Sequence, residues 1–235
     1  MKKFLWPFFL YFSFISTTHA DHGPQTWIAS NKSVVSILPT WPGYSRPGFG
    51  PPSSRTAPEG TGVFVDLPDT KSSGFTILTA AHVIKNATRI EVRLTDGRRL
   101  DAEVVGLDHG ADLALLAVPT KGVPLGLLGS VPVPGTHVCV LGNPFGLGVS
   151  MSCGVVSGPL RTGLGFNEIE AFIQTDASSN PGSSGGPLVD AKGNLVGLIS
   201  AIYTKNADTD AGVNFAISST LIKKRMDRQN LNFQP

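Results

Sequence analysis

What most constrains this chain is its punctuation. Past the first thirty residues it is a succession of short apolar, β-prone runs, each closed by Gly, Pro, Asn or Asp. The runs are SVVSIL (33–38), GVFVDL (62–67), GFTILTA (74–80), RIEVRL (89–94), DAEVVGLD (101–108) and LALLAV (113–118). HVCVLG (137–142), SMSCGVVSG (150–158), EAFIQTD (170–176), GPLVD (186–190), LVGLISAI (195–202) and GVNFAI (212–217) follow. Runs of this length and composition make strands rather than helices. Asp96-Gly97 and Lys192-Gly193-Asn194 each separate two runs and predict tight hairpins. The spacing predicts an all-β protein of two six-stranded antiparallel β-barrels, over about 28–120 and 125–217, joined by a Gly/Pro-containing connector. Only SSTLIKKRMDRQN, about 218–230, reads as a helix. Ser218 or Ser219 is its N-cap, and Leu221, Ile222 and Met226 share one face.

Residues 39–60 break the pattern. They hold six prolines, which excludes a regular strand and predicts a long exposed loop between the first two strands. Its aromatics Trp41, Tyr44 and Phe49 could touch a partner or lie over a groove, or the loop could be a linker without a role. At the other end of the scale of order, residues 1–20 have a basic start (Lys2, Lys3), an apolar stretch (Phe4 to Ile15) and a small residue, Ala20, at the end. This is the pattern of a cleaved signal peptide, so the protein is expected to be exported, periplasmic or secreted, with no stable membrane anchor after cleavage. With Lys2 and Lys3 gone, the 19 basic residues become 17, level with the 17 acidic ones. No nucleic-acid partner is expected from such a balance. Two cysteines, Cys139 and Cys153, are too few for a zinc cage, and no metal or other cofactor is implied.

Three local patterns carry chemistry. LTAAHV puts His82 at the end of an apolar strand, DHGADLALLAV puts Asp112 at the start of another, and NPGSSGGPLV puts two serines in a glycine turn. His, Asp and Ser are the parts of a nucleophilic triad. A serine hydroxyl needs a base within hydrogen-bond reach, and an imidazole serves near neutral pH. A carboxylate holds that imidazole in the right tautomer, and backbone N–H groups in an open turn receive the oxyanion. Each pattern alone has a plainer reading: a structural histidine, a turn aspartate, a flexible turn. Asp108 is the rival acid, expected to be solvated in its turn. Asp176 is expected to make a structural hydrogen bond, and His109 to be a surface residue.

Taken together, LTAAHV, ADLALLAV, LGNPFGLGVSMSCGVVSG, IQTDASSNPGSSGGPLVD, GNLVGLISAI and GVNFAI resemble the chymotrypsin-fold serine proteases, and most of all the bacterial HtrA/Deg branch. The resemblance covers about residues 33–217 and implies one protease domain over 21–235. It implies a serine endopeptidase acting on protein or peptide substrates, in quality control or dedicated processing. His82 would be the general base, Asp112 its orienting acid and Ser184 the nucleophile. Gly182, Ser183 and Ser184 would form the oxyanion stretch, with the N–H groups of Gly182 and Ser184 as donors. Ser178, Ser179, Ile199, Ser200, Ala201 and Asn214 would line the substrate pocket. No acid stands at its base, so small or medium side chains are expected before the cleaved bond and Arg or Lys is disfavoured.

The departures matter too. That branch carries C-terminal peptide-binding PDZ domains, and none is expected in the residues after this helix. Relatives often form homo-oligomers through N-terminal aromatics, for which Trp27 is the candidate. The same fold could also serve as a gated, chaperone-like binding module. Cys139 and Cys153 flank the GNPFGLG turn on adjacent antiparallel strands, where a cross-strand disulfide and two separately buried thiols both fit.

Overall fold

The computed structural model describes residues 22–48, 55–66, 76–202 and 211–226. The segment expected to be a signal peptide, Phe49 and the end of the C-terminal helix lie outside these residues. A helix α1 (His22–Ser30) leads into β1 (Val34–Thr40), β2 (Gly60–Val65) and β3 (Thr76–Ala80). A one-turn helix α2 (Ala81–Ile84) precedes β4 (Arg89–Arg93), β5 (Arg99–Asp101), β6 (Glu103–Asp108) and β7 (Leu113–Ala117). The second half holds β8 (His137–Gly142), β9 (Ser150–Arg161), β10 (Phe172–Thr175), β11 (Pro187–Asp190), β12 (Leu195–Ile202), β13 (Asn214–Ser218) and α3 (Ser219–Met226).

The second half is a closed barrel in the order β10-β13-β12-β11-β8-β9. The first half is one antiparallel sheet in the order β5-β4-β1-β2-β3-β7-β6. Its two edge strands are separated in sequence by Ala102 alone. One bent segment, 99–108, therefore serves both edges of a curled sheet, and the run expected as a fifth strand, 101–108, is divided in two. The architecture is all-β with a short C-terminal helix, but where two closed six-stranded barrels are expected only the second closes; the first is a curled half-barrel of seven strands.

Why the central runs, those of β1, β3, β7, β8 and β11, are apolar on both faces follows from where those faces go. Val35, Ile37, Ile77, Ala114 and Leu116 fill the first barrel, and Val138, Val140, Ile173, Leu188 and Ile199 fill the second. The alternate residues Val34, Leu78, Leu113, Leu115, Cys139, Leu141 and Val189 form a third cluster drawn from both barrels. The barrels thus share an apolar interface.

Three local expectations change. β1 runs through Pro39 to Thr40, inside the segment read as loop. It pairs with β2 only as far as Ile37 but with β4 as far as Thr40. The Ile90 carbonyl opposite Pro39 turns away to Ala102 N–H at 3.0 Å. The missing N–H of Pro39 therefore faces a side with no partner strand, where it costs nothing. The loop beyond is not slack: Trp41 and Tyr44 stack edge-to-face at 5.8 Å, and Arg46 pairs with the buried Glu91. Helix α1 was not expected, and its Trp27 packs on this chain's own inter-barrel cluster. α3 matches: the Ser218 hydroxyl accepts the Leu221 N–H at 3.2 Å, an N-cap, and Leu221 and Ile222 are buried. Among the described residues no helix is long and apolar enough to cross a membrane.

Candidate active site

His82 sits on α2, directly after β3, and Asp112 directly before β7. β3 and β7 pair with Ala80 opposite Leu113, so the two side chains meet across the end of a strand pair. Asp112 has φ 56°, a left-handed backbone uncommon outside glycine. The conformation is held by Ala81 N–H on the Asp112 carbonyl at 3.1 Å and by Asp112 N–H on the His109 carbonyl at 3.4 Å.

The carboxylate is filled with donors. Oδ1 accepts the His82 backbone N–H at 2.8 Å. Oδ2 accepts His82 Nδ1–H at 2.8 Å and the Ser200 hydroxyl at 2.6 Å. Burial pushes the Asp112 carboxyl up, but the His82 ring, its charge, the Ser200 hydroxyl and the His82 N–H outweigh it and hold the group below its ordinary value. An ionised carboxylate only accepts, so the neutral imidazole carries its proton on Nδ1 and leaves Nε2 as a base. The His82 side chain is 46% exposed against 10% for Asp112. A cavity of about 700 Å³ opens beside the pair, lined by His82, Asp112, Ser200, Lys85, His109 and Glu168 among others.

The rival acid behaves otherwise. Asp108 is not solvated but 8% exposed. Its Oδ1 accepts Ala111 N–H at 3.0 Å and its Oδ2 the Arg225 Nε–H at 2.5 Å. Helix α3 lies over the 108–112 turn, and Asp108 braces that turn rather than reaching His82. Asp176 accepts the Val155 N–H at 2.6 Å, the structural bond expected of it.

The glycine turn docks on the first barrel next to His82. A Cβ at Gly185 would lie 2.2 Å from the Thr61 carbonyl oxygen and 2.9 Å from Ala80 N, and Gly185 has φ 80°. Only glycine fits there. Thr61 N–H donates to the Ser184 carbonyl at 2.9 Å, and Gly185 N–H to the Ile199 carbonyl at 2.7 Å. The turn is thus pinned two residues from His82 on one side and one residue from Ser200 on the other.

Its two serines differ. Ser183 is 3% exposed. A Cβ on Gly142 would sit 3.0 Å from Ser183 Oγ, so that hydroxyl faces into the second barrel. Ser184 is half-buried. The backbone alternates in the same sense. Ser183 N–H is occupied by the Asn180 carbonyl at 2.8 Å, and Gly186 N–H by the Ser183 carbonyl at 2.9 Å. The N–H groups of Gly182 and Ser184 have no partner among the described residues. Ser183, expected within the oxyanion stretch, therefore offers no donor.

The expected pocket residues scatter. Ser200 turns to Asp112, and Ile199 packs in the core of the second barrel. Asn214 is buried, with Nδ2 on the Ala177 carbonyl at 3.0 Å. Ser179 is buried and Ser178 exposed; of Ala201, only its place in β12 is described. Cys139 and Cys153 lie directly opposite one another and are disulfide-bonded, with Cα atoms 4.0 Å apart. Among the described residues one group of side chains is close enough to share a metal ion, His137 with these two cysteines, and both its sulfurs are in the disulfide.

Comparison with known proteins places this geometry. The trypsin-like peptidase domain family matches residues 60–198. The periplasmic serine endoprotease DegP of Salmonella typhimurium is 38% identical over 204 residues, 86% of this chain and 42% of the relative. The periplasmic pH-dependent serine endoprotease DegQ of Escherichia coli is 39% identical over 167 residues, 70% of this chain and 35% of the relative. The chain thus spans between about a third and two fifths of the length of the curated relatives it matches. Among solved structures, the HtrA-type protease AlgW with tripeptide superposes with a TM-score of 0.72 at 34% identity, over 88% of this chain and 64% of that one. The serine endoprotease from Yersinia pestis gives 0.67 at 31%, over 88% and 66%.

Proposed function

Because this chain belongs to the trypsin-like peptidase family, we propose that it is an exported serine endopeptidase in which Ser184 attacks the peptide carbonyl. His82 Nε2 takes the hydroxyl proton as the Oγ–C bond forms. The carbonyl electrons move onto oxygen, and the oxyanion is received by the N–H groups of Gly182 and Ser184. Collapse breaks the C–N bond; the amine leaves with the proton from His82, and the acyl group stays on Ser184. Water, deprotonated by His82, then releases the acid and restores the serine. Asp112 stabilises the imidazolium throughout and stays ionised.

The observation that supports this most is the alternation over residues 182–185. The two N–H groups without a protein partner are those of Gly182 and Ser184, beside a half-buried serine and across from a His–Asp pair. Removing one oxyanion donor from such a site costs about 10²–10³ in kcat. Substrates are proteins or peptides with small or medium side chains before the cleaved bond, and residues 1–20 direct export. The test is paired. Ser184→Ala should abolish cleavage of an unfolded protein substrate and labelling by a fluorophosphonate, while Ser183→Ala keeps both. The reverse pattern would falsify the assignment, and a folded wild type that neither cleaves nor labels would make the chain a binding module.

A further inference from the structure

Glu59 has no part in the chemistry above, yet its side chain is 9% exposed and charged. A buried carboxylate is tolerated only with partners of good geometry. Glu59 Oε2 accepts Asn143 Nδ2–H at 2.5 Å and an Arg93 Nη2–H at 3.1 Å. The contact with Asn143 leads to the oxyanion turn. Asn143 is fully buried. Its Oδ1 accepts Gly148 N–H at 2.7 Å and its carbonyl accepts Gly146 N–H at 3.2 Å. It holds the 143–148 turn from inside, and a Cβ at Gly146 would lie 3.3 Å from the Glu59 carboxyl carbon. Within this turn Phe145 is kept at φ 56°, strained for a residue with a side chain. That conformation aims Phe145 N–H at the Pro181 carbonyl, 2.8 Å away.

The direction of the Pro181–Gly182 peptide is what matters. In a trans peptide the C=O and N–H point opposite ways. With the Pro181 carbonyl fixed on Phe145, Gly182 N–H points away from the 143–148 turn. The next carbonyl is fixed as well: Thr61 Oγ1–H donates to the Gly182 carbonyl at 2.6 Å and accepts Asn143 N–H at 2.9 Å. Both carbonyls flanking the Gly182 N–H are therefore held by groups tied to Asn143.

We propose that Glu59, with Arg93, is a positioning residue for the oxyanion hole. Its role is exerted through the turn. It locks Asn143, through Asn143 the two carbonyls around Gly182, and so the donor on which the charged intermediate depends. The inference rests on the reading of Ser184 as nucleophile.

The test uses the full chain and two variants. Glu59→Leu keeps the volume and removes the acceptor; Glu59→Gln restores an acceptor without the charge. Turnover of a peptide substrate is measured beside the affinity of a peptide aldehyde, whose hemiacetal oxygen occupies the hole. The uncleaved peptide is also bound on a Ser184→Ala background. Glu59→Leu should lower kcat about tenfold or more, a fraction of what losing a whole donor costs. Aldehyde affinity should fall by a similar factor, while KM and uncleaved-peptide binding hold within about twofold, and Glu59→Gln should recover much of the loss. Should Glu59→Leu fail to fold by near-ultraviolet circular dichroism, Glu59→Gln alone carries the test, with a parallel severalfold loss in kcat and aldehyde affinity. Unchanged kcat in a folded variant overturns the proposal, as does an equal loss of peptide binding. A wild type that forms no aldehyde or fluorophosphonate adduct overturns the Ser184 reading and this one with it; an active wild type indifferent to Glu59 overturns this one alone.

Discussion

Reducing the Cys139–Cys153 disulfide should lower the melting temperature by about 6–12 °C. The two residues are directly opposed on β8 and β9 and 14 apart in sequence. A bond closing a loop of about 15 residues removes roughly 3 kcal/mol worth of conformational freedom from the unfolded chain. In the folded state all of β8 is paired with residues 150–155 of β9, so native pairing survives reduction and the loss acts through the unfolded state. For a domain of this size each kcal/mol moves the melting temperature by about 2–4 °C. The assay is calorimetry with and without a phosphine reductant, with thiols counted by alkylation and mass. The variant Cys139→Ala/Cys153→Ala should melt lower still by a few degrees. Cys139 is fully buried between the barrels, and deleting its sulfur adds a cavity cost of about 1 kcal/mol. A fully alkylatable, reduced protein melting within about 2 °C of the oxidised one would refute the reasoning. The β8–β9 hairpin would then already be formed in the unfolded ensemble, leaving the bond little to constrain.

Asp112→Asn should lower kcat/KM by about 10⁴-fold, because an amide that donates to His82 favours the wrong tautomer; Asp108→Asn, which breaks only the Arg225 brace, should cost less than about tenfold. The opposite order would make Asp108 the orienting acid. Since the folded Asp112 carboxyl is held below its unfolded value, its stabilisation is complete above about pH 3.9 and fades as pH falls through the lower folded value. Acid unfolding below about pH 4 should then be steeper in the wild type than in Asp112→Asn, and identical slopes would contradict this. Gly185→Ala, whose Cβ meets backbone at 2.2 and 2.9 Å from a residue at φ 80°, should cost about 3 kcal/mol or more and over 100-fold in activity. Gly126→Ala, with nothing within 4 Å, should change melting by no more than about 2 °C.

Much of this molecule can be read locally. The central strands are legible because β1, β3, β7, β8 and β11 carry apolar residues on both faces, one for a barrel and one for the shared interface, and β4 because its Ile90 and Val92 alternate with charged residues. His82, Asp112 and Ser184 are legible because each stands in its own short motif. What resists reading is non-local. Asp108 looks solvated beside His109 and Gly110, and nothing near it announces Arg225, 117 residues on. Ser200 reads as a pocket residue from its strand position, and its bond to Asp112 spans 88 residues. Helix α1 is hidden because Trp27 and Ile28 are adjacent, without the spacing of a helical face, and only Trp27 packs on the core. Glu59 closes a proline-rich stretch that looks irregular, and its partners Arg93 and Asn143 lie on a distant strand and turn.

The choice between the two serines shows why the site belongs to neither barrel alone. Within the turn, the direction of each peptide decides which N–H groups face out, and reversing one would exchange a donor for a carbonyl. That direction is fixed from two sides. Thr61 of the first barrel holds the carbonyls of Gly182 and, through its N–H, Ser184; Phe145, on the loop after β8, holds that of Pro181. His82 and Asp112 come from the first barrel, Ser184 and Ser200 from the second. A change that loosens the inter-barrel cluster should therefore impair the oxyanion hole before either barrel unfolds. Leu78→Ala, which truncates a fully buried member of that cluster, should cost about 2–5 kcal/mol. In that variant aldehyde affinity should be lost at a lower temperature than the far-ultraviolet circular dichroism signal. Coincident loss would mean that the barrels and the hole melt as one unit.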